Sequence, residues 1–420
     1  NGHCRKFDAG TMCPSYRVTR DEQHVTRGRA NTLRMALSGQ LGKDDFTSPA
    51  VRDAMDLCVG CKGCKRECPT GVDMARMKIE FTAHYKARHG HTLRDKLVGN
   101  LPAYADVASR WSWLANLRNS VPGAAALTEK VLGFASARQL PKWRRDTFWR
   151  TQGAFPFASA TDTLAAAARG DKVAVLFVDT FNGTFETENA LAAARVLAAA
   201  GYTLHAARKS GGHLCCGRTY LSAGMVDQAR ETARELVDTL APFARQGVPI
   251  VGLEPSCLLT LRDEALVLGL GEAATTLAAN AFLFEEFIAR EIKAQRFALA
   301  LKPAPGPLLV HGHCHQKAFG AVSPILDVLR LIPGAKPELI ETSCCGMAGS
   351  FGYEAEHHAV SLQMAEAALL PAIRRAPEAI VVADGTSCRH QIADGAQREA
   401  LHVARLLEQL LIPAQGDRTQ

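Results

Sequence analysis

No run of eighteen apolar residues occurs in the 420-residue chain, so hydropathy offers no membrane-spanning helix. P-loop, dinucleotide fingerprint, Ser–His–Asp nucleophile set and flavin motif are also missing, which excludes a nucleotide site or an acyl-transfer centre as the organising feature. Gly346-x-x-Gly349-x-x-Gly352 comes nearest to a phosphate loop, but it follows a cysteine pair instead of a strand. The chain opens on Asn1 with no Met, no basic n-region and no apolar h-region. The expectation is therefore no visible signal peptide and a chain that is part of something longer. What is present is ordinary for globular protein, with 47% hydrophobic and 22% charged residues. Its length suits two to four domains, and disorder is excluded.

The unusual content is thirteen cysteines. In a large chain these point to metal binding in a reducing compartment rather than to a secreted disulfide scaffold. Four of them form Cys58-Val-Gly-Cys61-Lys-Gly-Cys64-Lys-Arg-Glu-Cys68-Pro69. Three thiolates at this spacing reach one iron–sulfur cubane, and the fourth, before proline, is the cysteine that in two-cluster ferredoxins serves the other cluster. Gly60 and Gly63 let the backbone curl and aim N–H groups at the cluster. A disulfide knot fails on geometry, and zinc prefers two separated C-x-x-C pairs. An electron-transfer role follows. Residues 1–95 carry 17 Lys/Arg against 11 Asp/Glu, while the remainder is nearly balanced at 32 against 31. This basic excess offsets an anionic cluster better than it serves nucleic acid.

A second group precedes the run: Cys4, then Cys13-Pro14-Ser15-Tyr16. Cys13-Pro14 mirrors Cys68-Pro69, so Cys13 is assigned with Cys58, Cys61 and Cys64, leaving Cys4 and Cys68 to the other cluster. Two unrelated buried thiols are the alternative for Cys4 and Cys13. Thr26-Arg27-Gly28-Arg29 reads as a turn opening a helix, with its arginines at the cluster's edge or on a plain surface. Helical periodicity runs through 72–85 and 101–117. Trp111, Trp113, Trp143 and Trp149 with Arg144, Arg145 and Arg150 read as a packed linker face in preference to a membrane-surface or quinone contact.

From Asp171 the pattern becomes strand–helix alternation. Strands are predicted at 172–178, 203–207, 249–253, 308–311, 338–340 and 379–383, and helices near 186–200, 219–240 and 275–296. Cys215 and Cys216 recur as Cys344 and Cys345 after 129 residues, and Cys257 as Cys388 after 131. This is an internal duplication, each half a small α/β layer with cysteines at one edge of a parallel sheet. Cys314, Cys344, Cys345 and Cys388 assemble four thiolates in the second half. Adjacent Cys344 and Cys345 suit two metal atoms, since a vicinal disulfide is strained. His311, His313 and His315 flank Cys314, so zinc rivals iron there. Cys215, Cys216 and Cys257 form the degenerate counterpart, holding a metal or merely structural.

The string Gly10-Thr-Met-Cys13-Pro-Ser-Tyr16, Thr26-Arg-Gly-Arg-Ala-Asn31 and the C-x-x-C-x-x-C-x-x-x-C-P-x-G-V run resembles the iron–sulfur subunits of glycolate oxidase and anaerobic glycerol-3-phosphate dehydrogenase. It is most similar to the FAD-linked D-lactate and D-2-hydroxyglutarate dehydrogenase fusions. The resemblance implies an N-terminal α-helical two-cluster ferredoxin-like domain (1–95), a helical linker (96–170) and two α/β cysteine-rich "CCG" repeats (171–300, degenerate, and 301–415), an α + α/β fold. It further implies one or two 4Fe-4S clusters, a non-cubane cluster or zinc in the second repeat, and FAD on an absent domain or subunit. The partners would be that flavoprotein and an electron acceptor, a quinone or soluble carrier, with no nucleic acid. The location would be cytoplasmic, with the inner face of the membrane allowed. A heterodisulfide-reductase-like thiol reductase is the alternative function, and a zinc-stabilised scaffold with an appended ferredoxin is a third. Three departures stand out. Asn1 replaces a cysteine of the family's first C-x-x-C-G-x-C motif, leaving that cluster three-iron, otherwise ligated or absent. Gln391 replaces the last cysteine of the second repeat. In the first repeat, Asn182 and Thr260 stand at two cysteine positions.

Overall fold

The computed structural model describes residues 2–7, 10–42, 45–209 and 212–412. Asn1 lies outside them. Two four-stranded parallel sheets dominate the C-terminal two-thirds. The first comprises β1 (Val173–Phe177), β2 (Thr203–Ala206), β3 (Ile250–Gly252) and β4 (Ala281–Leu283), in the order β2-β1-β3-β4. The second comprises β5 (Leu308–Val310), β6 (Glu338–Leu339), β7 (Ile380–Val382) and β8 (Ala400–Leu401), in the order β6-β5-β7-β8. The orders are identical, so the duplication read from the cysteines is a duplication of topology.

β4 and β8 were not foreseen. The predicted helix at 275–296 is two helices, Gly271–Asn280 and Phe284–Lys293, with β4 between them. Pairing of Ile250 with Ala281 and Gly252 with Leu283 draws these three residues into extended form. The Glu286 carboxylate then accepts the Leu283 N–H at 3.0 Å and restarts the helix.

β1 is buried at every residue because both faces of the sheet are covered. Its side chains alternate between two cores. Ala174 and Leu176 join Leu308, Val310 and Val382 in a core shared by both repeats, while Val173, Val175 and Phe177 face an outer core of the first repeat. The shared core is built by a crosswise exchange. Helix Thr187–Ala199, after the first strand of repeat one, packs on Val403–Leu410, after the last strand of repeat two. Reciprocally, Phe284–Lys293 packs on Ser323–Leu329. Ala190, Ala192, Ala193 and Ala194 are fully buried, and their small side chains permit the close approach.

The N-terminal segment folds as helices Thr26–Leu37, Pro49–Asp56, Gly63–Glu67 and Met74–His89 around Val25, Val51, Met55, Met74 and Phe81. In the stretch that follows, Trp143 packs edge-on against Phe185 at 4.8 Å and Trp149 against Phe148 at 5.0 Å. Trp111 and Trp113 do not pack; they are 57% and 56% exposed. The packed-face expectation therefore holds for only half of these tryptophans. No helix among the described residues is long and apolar enough to cross a membrane.

Candidate metal centres

The cysteine run forms a loop before a short helix. Gly60 (φ 58°) and Lys62 (φ 59°) are both left-handed, which turns Cys58, Cys61 and Cys64 toward one side. The Glu67 carboxylate accepts the Thr11 N–H at 2.6 Å and the Met12 N–H at 3.1 Å, so the run's own helix holds the segment carrying Cys13. Gly63 permits this approach, since a Cβ there would lie 2.9 Å from the Met12 nitrogen. Cys13, Cys58, Cys61 and Cys64 consequently line one cavity together with Arg29 and Met74. Cys13 Sγ lies 2.9 Å from Thr26 Oγ1. Arg29, almost wholly buried, donates to the Ala54 carbonyl at 2.7 Å and to Ser15 Oγ at 2.9 Å.

Burial pushes the Cys64 thiol up to about 12, helped by repulsion from Cys58. It pushes Cys61 well above the ordinary thiol value, with Cys344 the next largest cause, and raises Cys13 as well. Convergent thiols that resist ionising need a cation to become thiolates, and the donor set fits an iron–sulfur cluster on that ground. Cys4 is buried and Cys68 half-buried beside Thr70; both adjoin the apolar cluster that includes Cys13 and Cys64.

The second-repeat cysteines lie on segments that leave β5, β6 and β7 at their carboxyl ends, where parallel sheets place ligands. Cys314, Cys344, Cys345 and Cys388 form an unbroken row of sulfur contacts. Hydrogen bonds from Cys314 and Cys345 hold Cys344 well below the usual thiol range, while those two neighbours are pushed up. Gly346 (φ 84°) is required, because a Cβ there would meet the Ser361 carbonyl at 2.3 Å. The Lys317 ammonium donates to Thr342 O and Oγ1, each at 2.7 Å, and supplies positive charge. His311 Nε2 is buried with no partner, and a ring nitrogen of His311 lies within 4.8 Å of the Cys345 and Cys388 sulfurs. The imidazole thus fits a metal ligand, and its position among three histidines was the only sequence signal for it. Gln391 is elsewhere engaged, accepting from Arg138 and donating to the Ser361 carbonyl at 3.1 Å.

In the first repeat, Cys216 contacts both Cys215 and Cys257. Asn182 stays out of this group, donating to Asp179 at 2.7 Å and accepting from Asn189 at 2.9 Å. Thr260 donates to the Ser256 carbonyl at 2.7 Å, an ordinary helical back-bond. Three thiols thus converge here and the remaining two positions are committed to other partners.

Sequence reading missed the junction. The loop Val59–Lys62 is wedged between the repeats: His315 Nε2 bonds the Gly60 carbonyl at 3.1 Å, and Ser343 donates to the Thr11 carbonyl. On the opposite side Lys62, 1% exposed, pairs with Asp263 and Glu264, each at 2.7 Å. Cys61 therefore lies electrostatically close to Cys344 and Cys314 as well as to its own group. No sequence pattern could have located that contact.

This architecture defines an iron–sulfur protein: a ferredoxin-like cluster segment wedged between two α/β cysteine-rich repeats. Residues 1–72 match the 4Fe-4S dicluster domain, and residues 179–262 and 309–393 match two copies of the CCG cysteine-rich domain. The chain thus carries both domains in series. It is 27% identical over 434 residues to D-2-hydroxyglutarate dehydrogenase of Escherichia coli (strain K12), covering 93% of this chain and 41% of that protein. The Pseudomonas putida enzyme of the same name is 26% identical over 96% of this chain and 42% of its own length. One subunit of the anaerobic glycerol-3-phosphate dehydrogenase of Escherichia coli (strain K12) is 27% identical over 346 residues, 81% of each chain. The chain spans about two fifths of the length of the D-2-hydroxyglutarate dehydrogenases it matches. No solved structure matches it significantly.

Proposed function

We propose that this chain is the iron–sulfur electron-transfer module of a flavin-linked D-2-hydroxy-acid dehydrogenase, an oxidoreductase acting on 2-hydroxyglutarate, lactate or glycolate. The flavoprotein would be a separate domain or subunit, and electrons would leave to a quinone or soluble carrier. The division at 95/96, 170/171 and 300/301 belongs to this reading. So does the assignment of Cys13, Cys58, Cys61 and Cys64 to one 4Fe-4S cluster, of Cys4 and Cys68 to a second, and of Cys314, Cys344, Cys345 and Cys388 to the repeat-two metal. One observation carries the reading: Cys61 lines its own cavity and, with the neighbouring Gly60 carbonyl bonded by His315, feels the Cys344 and Cys314 sulfurs electrostatically. When bound, an iron–sulfur cluster accepts and releases single electrons, splitting the flavin's two-electron chemistry. The chain's own residues fix the two sites against each other, exclude water through buried Cys61, Cys344 and Cys345, and offset thiolate charge with Arg29 and Lys317. The relatives do not favour the thiol-reductase alternative.

Cys345→Ser in the complete dehydrogenase tests this. Flavin reduction by the hydroxy acid should continue, while acceptor reduction falls at least 100-fold. Wild-type acceptor turnover would overturn the route through the second repeat.

A further inference from the structure

A second concavity lies apart from the proposed electron route. It is an open cleft of about 200 Å³ whose lining includes Asp106, Arg110, Trp149, Arg150, Arg208 and His213. Arg208 follows the carboxyl end of β2, the edge where parallel sheets place ligands. Three guanidiniums share this cleft. Arg150 is tethered to backbone, donating to the Arg145 carbonyl at 2.8 Å and the Asp106 carbonyl at 3.3 Å. Arg110 and Arg208 make no hydrogen bond or ion pair with the described residues. The single carboxylate in the cleft, Asp106, is turned to His213, 3.5 Å from its Nδ1, and feels Arg150 and Arg110 only through space.

Like charges gathered in one concavity repel, and one carboxylate against three guanidiniums offsets only part of that repulsion. The planar, forked guanidinium is also the group best matched to carboxylate and phosphate oxygens. We propose that this cleft binds a small oxyanion carrying two negative charges, a phosphate or a dicarboxylate, with Arg110, Arg150 and Arg208 as its counter-charges. The inference does not rest on the electron-transfer reading, and its test needs no turnover.

The experiment is calorimetric titration of the full chain, prepared anaerobically with its metal, using inorganic phosphate in one arm and succinate in the other. At least one arm should saturate at one equivalent and weaken as salt is raised. Arg208→Gln and Arg110→Gln should each lower the affinity about tenfold or more, the usual loss for a charge-assisted hydrogen bond. Arg330→Gln, on a remote ion pair with Asp327, should leave it unchanged. Both arginines are exposed, so the variants should keep the wild-type melting temperature. Saturation by phosphate alone or succinate alone identifies the class of ligand and supports the site. Absence of saturable binding in both arms, or affinities unchanged in Arg208→Gln and Arg110→Gln, would overturn it.

Discussion

Replacing Lys62 by methionine tests how the cluster loop is held between the repeats. The ammonium is fully buried and pairs with Asp263 and Glu264 at 2.7 Å. Removing one partner of a buried ion pair costs about 3–5 kcal/mol, because the remaining charge is left uncompensated. Here the carboxylates keep other partners: Lys65 and Arg76 reach Asp263, and Arg218 reaches Glu264. The expected loss is therefore about 2–3 kcal/mol, at or below the lower end of that range. Acid titration gives a second readout. Burial alone would raise the Asp263 pKa, but attraction to Lys62 and bonds from Lys62, Lys65 and Arg76 hold it down at about 2. A depressed carboxylate stabilises the fold above its unfolded pKa near 3.9, and that contribution is lost as pH falls toward 2. In Lys62→Met the acid limb should move upward toward pH 4. Urea denaturation of the anaerobic protein at pH 7 and between pH 2 and 5 measures both effects. A loss below about 0.5 kcal/mol, the range of an indifferent surface change, with an unmoved acid limb would refute the reasoning.

Cys61→Ser should remove the iron of the first centre, and iron and sulfide at wild-type levels would show that the four-cysteine assignment is mistaken. His357 bonds Asp56 and Glu354, each at 2.8 Å, and these bonds outweigh burial to hold its pKa at about 9. This raised group contributes stability that is complete below pH 6.5 and lost as pH rises through about 9; His357→Gln should abolish that alkaline limb in a melting series from pH 6 to 10. Burial, then repulsion from Asp384, pushes the Glu285 carboxyl well above its usual range. Wild type should therefore lose about 1.4 kcal/mol per pH unit above the ordinary glutamate pKa relative to Glu285→Gln, as read from paired denaturation midpoints between pH 5.5 and 7; parallel curves would contradict a protonated Glu285.

Much of the molecule was legible because its signals are local. C-x-x-C spacing, the two Cys-Pro steps and the 129- to 131-residue recurrence of cysteines need no knowledge of distant contacts, and the six predicted strands all form. β4 escaped because three apolar residues within a helical period become a strand only when β3 lies alongside. Lys62 read as one more basic residue near an anionic cluster, yet it is buried because Asp263 and Glu264, some two hundred residues away, fold onto it. Trp111 and Trp113 read as part of a packed linker face because such aromatic–basic stretches usually are, yet both stand more than half exposed. The sequence by itself determined which thiols could hold metal and that the α/β half is duplicated, since spacing and periodicity are properties of a few neighbouring residues. The tertiary structure alone decided that Cys61 comes within electrostatic reach of Cys344, that His311 brings a ring nitrogen within 4.8 Å of the Cys345 and Cys388 sulfurs, and that three arginines meet in one cleft, because each depends on how separately formed elements pack.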